Sequence, residues 1–127
     1  CLFACSKTEL GKPFTFSAPF THSLPDDLDV VWNFNNDTRS QCSTKFGCLD
    51  NNEEKTLTTL RNISSSNRYE CELRITNVTH GDVGKWTLNY LGSAGLVHED
   101  SLFSCDLKVS GKLANYVYEA MLFNTDT

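Results

Sequence analysis

From Phe14 onward, large apolar residues tend to recur at every second position, separated by short polar runs. Phe14-Thr15-Phe16-Ser17-Ala18 alternates apolar with small polar residues and follows the turn signal Gly11-Lys12-Pro13. Leu28 to Phe34 places Val30, Trp32 and Phe34 on one face and runs into the turn-forming Asn35-Asn36-Asp37. Residues 39 to 54 are less regular and read as short edge strands and loops. Thr56 to Leu60 has strand composition, and Asn62 to Asn67, rich in Ser and Asn, reads as a turn. Tyr69 to Val78 predicts a strand with Cys71, Leu73 and Ile75 on one face. Trp86 to Leu91 predicts the next, with Trp86, Leu88 and Tyr90 in phase. A hairpin loop from Gly92 to about Asp100 leads to a last strand, Leu102 to Val109, carrying Phe103, Cys105, Leu107 and Val109 on one side. No long amphipathic helix interrupts the series, so the expectation is an all-β sandwich or barrel. Residues 1–110 form the predicted domain. Residues 111–127 are a C-terminal extension whose apolar run, Tyr116 to Phe123, fits an extra strand, a short helix or a linker.

Composition narrows the function classes. The chain has 127 residues, enough for one domain with a real core. Its net charge of -5, without a Lys/Arg cluster, argues against nucleic acid and anionic membrane as partners. No apolar run is long enough to cross a bilayer, so no direct membrane insertion is expected of this segment. The first residue is Cys1 rather than Met, which fits a mature or trimmed chain.

Six cysteines, Cys1, Cys5, Cys42, Cys48, Cys71 and Cys105, point to disulfides and an oxidising compartment. There is no C-x-x-C, and His22, His80 and His98 lie far from one another, so no metal site is expected. Three acceptor triplets, at Asn36, Asn62 and Asn77, predict N-linked glycans and an extracellular location, either at the cell surface or secreted.

The segment Leu73-Arg-Ile75-Thr-Asn77-Val78, then Asp82-Val-Gly84-Lys-Trp86-Thr-Leu88, with Trp32 upstream, resembles the immunoglobulin superfamily, variable type. The resemblance spans about Gly11 to Val109. It implies a two-sheet Greek-key sandwich that here lacks the usual inter-sheet disulfide, because Ala18 and Leu88 stand at the two cysteine positions. Losing that crosslink forgoes about 2–5 kcal/mol in a small secreted domain. Trp86 stands where the family has a corner tyrosine, and indole has only an N–H to offer in place of the hydroxyl. The resemblance also implies that the first strand runs beside the last, which favours a Cys5–Cys105 bond. For Cys71 it favours Cys42 or Cys48 as partner, with a local Cys42–Cys48 bond as the competing pairing. Asp82 is expected to pair with Lys55 at the corner.

No catalytic signature is present: no G-x-S-x-G, phosphate-cradling glycine loop, H-E-x-x-H or dinucleotide fingerprint. No cofactor and no enzyme activity are expected. The acidic tract Asp50 to Glu54 lacks the ligand spacing of a calcium loop and reads as a solvated edge. The resemblance implies protein–protein recognition or cell adhesion through the sheet that holds Trp32 and Trp86, with a protein ligand or a second copy of the chain as partner. Alternation sends Val31, Asn33, Thr87, Asn89, Leu91 and Asp106 outward on that sheet, and places Leu96 and Val97 at the hairpin tip. These eight residues are the candidate contact set, unless the C-terminal extension covers them. Narrower versions are a membrane-tethered receptor, the immunoglobulin-like part of a secreted lectin-type immune protein, and a viral or parasite decoy. A structural spacer without a ligand is the reading from a different class.

Overall fold

Strand pairing follows the alternation closely in a computed structural model of the chain, which describes residues 3–5, 7–22, 27–64, 67–92 and 95–110. The elements in order are β1 (Phe3–Ala4), β2 (Phe14–Thr21), β3 (Asp29–Phe34), β4 (Asp37–Ser43), β5 (Gly47–Asp50), β6 (Thr56–Ser64), β7 (Arg68–Ile75), a 3-10 turn (His80–Asp82), β8 (Gly84–Leu91) and β9 (Val97–Leu107). They form a six-stranded sheet in the order β1-β9-β8-β3-β4-β5 and a three-stranded sheet in the order β2-β7-β6. All pairings are antiparallel except β1 with β9. The expected sandwich is the observed one. Pro19 falls inside β2 without harm, because β2 is an edge strand and a missing N–H there can face solvent.

Three boundaries move. β6 continues to Ser64, so Asn62 lies in a strand opposite Tyr69 rather than in a turn. β7 ends at Ile75, and β9 starts at Val97, because Val97 pairs with Leu91 and shortens the hairpin loop. The expected extension, residues 111–127, lies outside the described residues, as does Cys1.

Between the sheets sits an aromatic core. The Phe16 ring lies 5.7 Å from Trp32 and 5.1 Å from Trp86, and Phe103 lies 5.7 Å from Trp32 on another side. Ala18 and Leu88, at the positions of the missing bond, are both fully buried. A methyl group and an aliphatic chain thus fill the space around Trp32 that a disulfide would otherwise occupy.

The cysteines are arranged differently from the favoured expectation in one respect. Cys5 is bonded to Cys105, as the resemblance implied, with a Cα–Cα separation of 5.2 Å. Cys42 and Cys48 face each other across the β4–β5 ladder and are bonded locally. Cys71 is therefore no disulfide partner of either; it is a buried free thiol. The reason is its place in the sheet: opposite Ala18 on β2, it points into the core, and its sulfur accepts a hydrogen bond from the Trp32 indole N–H at 3.1 Å. Thiol sulfur is a weak acceptor, but it spares the buried indole an unpaired donor.

The corner before β8 is tied twice. Lys55 pairs with Asp82 as expected, and the same ammonium reaches the Asn77 carbonyl at 2.8 Å. Trp86 takes over the task of the corner tyrosine: its indole N–H donates to the Asp82 backbone oxygen at 2.9 Å, four residues upstream. Gly84 follows with φ of 149°, and a Cβ there would lie 2.9 Å from Asn35 Oδ1. Asn35 in turn exchanges backbone and side-chain bonds with Lys85. The β3–β4 turn is thereby locked onto the start of β8.

Burial pushes the Cys71 thiol up to about 12, from an ordinary value of 9.0. Between those values the unfolded chain releases a proton that the folded one retains, so stability falls as pH rises. Wild-type protein should lose up to about 1.4 kcal/mol per pH unit above pH 9 relative to a Cys71→Ala variant. Urea denaturation across that range reads it; parallel curves for the two proteins would show that the thiol is not buried in this way.

Candidate functional site

β-Bulges shape the outer face of the six-stranded sheet. The β3–β4 register slips between Trp32 and Asn33, and the β8–β9 register slips between Leu88 and Asn89. A bulge leaves ladder groups unpaired and re-aims the neighbouring side chains. Asn89 answers this directly: its Nδ2 donates to the His98 carbonyl at 2.9 Å and to Ser101 Oγ at 3.3 Å. Asn33 accepts from Thr38 Oγ1 at 3.1 Å and donates to Asn89 Oδ1 at 3.4 Å. The Asn89 amide serves backbone carbonyls of β9, and Asn33 links it to Thr38 across the middle of the sheet.

The result is a polar hollow of about 290 Å³ with Asn33, Thr87 and Asn89 among its lining and Asn36, Lys85 and His98 at other points of its wall. Asn33, Thr87 and Asn89 are more than nine-tenths buried. The Thr87 hydroxyl and the Lys85 ammonium have no hydrogen-bond or ion-pair partner among the described residues. His98, expected in a loop, is on β9.

These positions correct the candidate contact set. Val31, Asn33, Thr87 and Asn89 do lie away from the core aromatics, but none is exposed; Val31 retains 2% of its surface. Two of the polar ones are also committed to each other. Alternation assigns a side chain to a face and says nothing of how deep that face is. Leu91 is half-buried beside Val97. Asp106 is half-buried on β9, flanked by Ala4 and Lys85. It lies nine residues along β9 from Val97, about 30 Å at the rise of an extended strand, so it cannot share a small contact with the hairpin tip. Leu96 and Val97 alone remain open as expected, at 71% and 45% exposed.

Two residues join them that the sequence reading missed. Phe46, in the β4–β5 turn, is 82% exposed, and Leu49 on β5 is 68% exposed. The β4–β5 turn and the β8–β9 hairpin lie at the same end of the sheet, because β4 and β8 both run antiparallel to β3. Three strand spacings separate the two hairpins, about 14 Å. The signal available in the sequence was an aromatic residue among the five residues between Cys42 and Cys48, where a turn has no need of one. Asn36, Asn62 and Asn77, which begin the three Asn-x-Ser/Thr triplets, are all exposed. Asn62 is on the outer strand of the three-stranded sheet, Asn77 follows β7, and Asn36 is at the β3–β4 turn.

Asp50, which the sequence placed in a solvated acidic edge, accepts from Thr56 Oγ1 at 2.8 Å and from the Thr58 backbone N–H at 3.1 Å. It ties β5 to the edge of β6. Among the described residues, no group of three His, Cys, Asp or Glu side chains is arranged to hold a metal ion.

The V domain of the amphioxus IgVJ-C2 molecule superposes on this chain with a TM-score of 0.53 at 15% identity, over 83% of this chain and 99% of that domain. The chain has a variable-type immunoglobulin fold. The longer amphioxus IgVJ-C2 structure matches with a TM-score of 0.52 at 15% identity, over 81% of this chain and 54% of that one, so the present chain spans about half its length. No protein-family model and no curated protein sequence matches the chain. At this identity the likeness carries the V-type fold and not a ligand. Within that fold, β3, β8 and β9 belong to the sheet with the hollow, and Phe46, Leu49, Leu96 and Val97 lie towards one of its ends.

The two groups should respond differently to mutation. Asn89→Ala removes the acceptor of the buried Asn33 amide and the donor to two part-buried β9 carbonyls, and should cost about 1–3 kcal/mol. Leu96→Asp, at an open tip, should stay within about 0.5 kcal/mol of wild type. Thermal and urea unfolding measure both; similar losses in the two variants would mean that Leu96 is a packing residue.

Proposed function

We propose that the domain is an extracellular protein–protein recognition module, and that its contact surface is the loop end of the six-stranded sheet. The carrying observation is that Phe46, Leu49, Leu96 and Val97 are open to solvent at that end, while the middle of the same sheet is concave, polar and hydrogen-bonded through Asn33 and Asn89. Isolated exposed apolar residues need no explanation; four on two neighbouring hairpin regions form a patch of the kind that marks interaction sites. Recognition would proceed by burial of these anchors, not by chemistry on a substrate. The V-type fold supports a recognition module in general. The exposed acceptor triplets and the Cys5–Cys105 and Cys42–Cys48 bonds support an oxidising, extracellular setting.

The patch also suits a homophilic, adhesion-type contact. A two-fold pair sets each element of one copy against a different element of the other. The Phe46 turn of one copy can thus meet the Leu96 hairpin of its partner, twice over, across the same 14 Å span (about three strand spacings). Leu49 and Val97 then form the flanks of each half. No helix among the described residues is long and apolar enough to cross a membrane.

Sedimentation velocity over a wide concentration range tests the contact. Wild-type protein should dimerise, and Leu96→Asp or Phe46→Asp should each weaken the dimer by at least about tenfold, as expected for central apolar anchors. A wild-type monomer at every concentration would overturn the homophilic form. A dimer indifferent to both substitutions would overturn the proposed surface.

A further inference from the structure

The polar hollow has a feature that the contact patch does not use: one of its walls is a glycan acceptor. Asn36 lines it, at φ of 68° in the β3–β4 turn, and begins the triplet Asn36-Asp37-Thr38. We propose that the hollow is the seat of the innermost sugars of an N-linked glycan carried by Asn36.

Four observations converge on this. The volume, about 290 Å³, lies at the lower end of small-molecule sites, which run from about 300 to 1,000 Å³. That suits one or two sugar rings and excludes a protein segment of any length. Apart from Val97, at the edge it shares with the apolar hairpin, the lining is hydroxyl, amide, ammonium and imidazole, without a carboxylate, and so offers both donors and acceptors to ring hydroxyls and an acetamido group. The Thr87 hydroxyl and the Lys85 ammonium make no hydrogen bond or ion pair among the described residues, whereas Asn33 and Asn89 are already engaged. Finally, the acceptor is held in place: Asn35 is bonded to Lys85, and Gly84 admits the turn at a distance that a side chain would forbid.

So few open polar groups and no aromatic ring make a weak site for a free sugar. A tethered sugar is different. A short covalent link raises its local concentration to the millimolar range, so even a weak site fills. Attachment occurs on the nascent chain, before Thr38 Oγ1 is committed to Asn33. The Asn36 side-chain nitrogen attacks the anomeric carbon of a lipid-pyrophosphate-linked oligosaccharide supplied by the secretory pathway. A C–N bond forms, the anomeric C–O bond breaks with its electrons on the departing lipid pyrophosphate, and the amide proton passes to a base of the transferase. On folding, the first rings settle over Thr87. The polar middle of the sheet is then shielded, and protein contact is confined to the apolar loop end.

The test needs no partner protein, so its outcome is separate from that of the recognition reading. The domain is secreted from eukaryotic cells with high-mannose glycans and treated, native, with an endoglycosidase that cuts between the two innermost sugars. Glycopeptide mass spectrometry follows release at Asn36, Asn62 and Asn77. Release at Asn36 should be at least about tenfold slower than at the other two. Thr87→Arg, which fills the hollow, and Ser101→Arg, which crowds its exposed rim, should each bring Asn36 towards the common rate. Heat-denatured protein should show one rate at all three sites. An unmodified Asn36, equal native rates, or a slow Asn36 that persists in both variants would each overturn the proposal.

Discussion

Everything in this domain is arranged around the indole of Trp32. In a sandwich of this kind, two sheets must be held at a fixed separation, and a crosslink between them is the usual means. Here the separation is set by packing. Trp32 is fully buried, Phe16 and Phe103 lie against it, and Ala18 and Leu88 close the space beside it. The one polar atom of that indole is satisfied from the opposite sheet by Cys71. A single weak hydrogen bond thus bridges the two sheets close to the position of the absent disulfide. The covalent bonds have moved to the margins, where Cys5–Cys105 fastens the N-terminal segment to β9 and Cys42–Cys48 closes the β4–β5 hairpin. The longer loop, 100 residues, is the one for which chain-entropy arguments give the larger stabilisation, about 4.7 kcal/mol.

The same logic reaches the surface. Once Trp32 and Leu88 are fixed inward, the next residues, Asn33 and Asn89, fall on the other side at points where the ladder slips. Their amides bond to each other, and that of Asn89 to a β9 carbonyl, at a concave, polar centre. The most exposed apolar residues, Phe46, Leu96 and Leu49, lie at or next to the hairpins at one end of this sheet. The division between a polar middle and an open end is a consequence of core packing and register. It requires no separate device.

Much of the fold was legible from alternation, because period two is a direct readout of which side chains meet the core. The ion pair of Lys55 with Asp82 and the Cys5–Cys105 bond were legible through the family resemblance, since both depend only on strand order. The state of Cys71 was not. Its strand and face were clear, but a cysteine facing the core reads the same whether it meets another sulfur or an indole N–H. The depth of Val31 and Thr87 was hidden for a related reason: alternation gives direction, while burial depends on bulges and neighbours distant in sequence. Trp86 was half legible. Its lack of a hydroxyl was plain, but not that the indole N–H would reach the Asp82 carbonyl instead. Phe46 escaped because residues 39 to 54 carry no periodicity strong enough to separate strand from turn.

Trp32 pins the core against a free thiol, with both described disulfides at the margins. A non-reducing peptide map of the native protein, alkylated only after unfolding, tests it most directly. Cys5 should be found linked to Cys105, Cys42 linked to Cys48, and Cys71 recovered as an alkylated thiol. Recovery of Cys71 in a disulfide with any partner would contradict it, because the sulfur would then have to leave the Trp32 indole and the core would need another means of holding its sheets together.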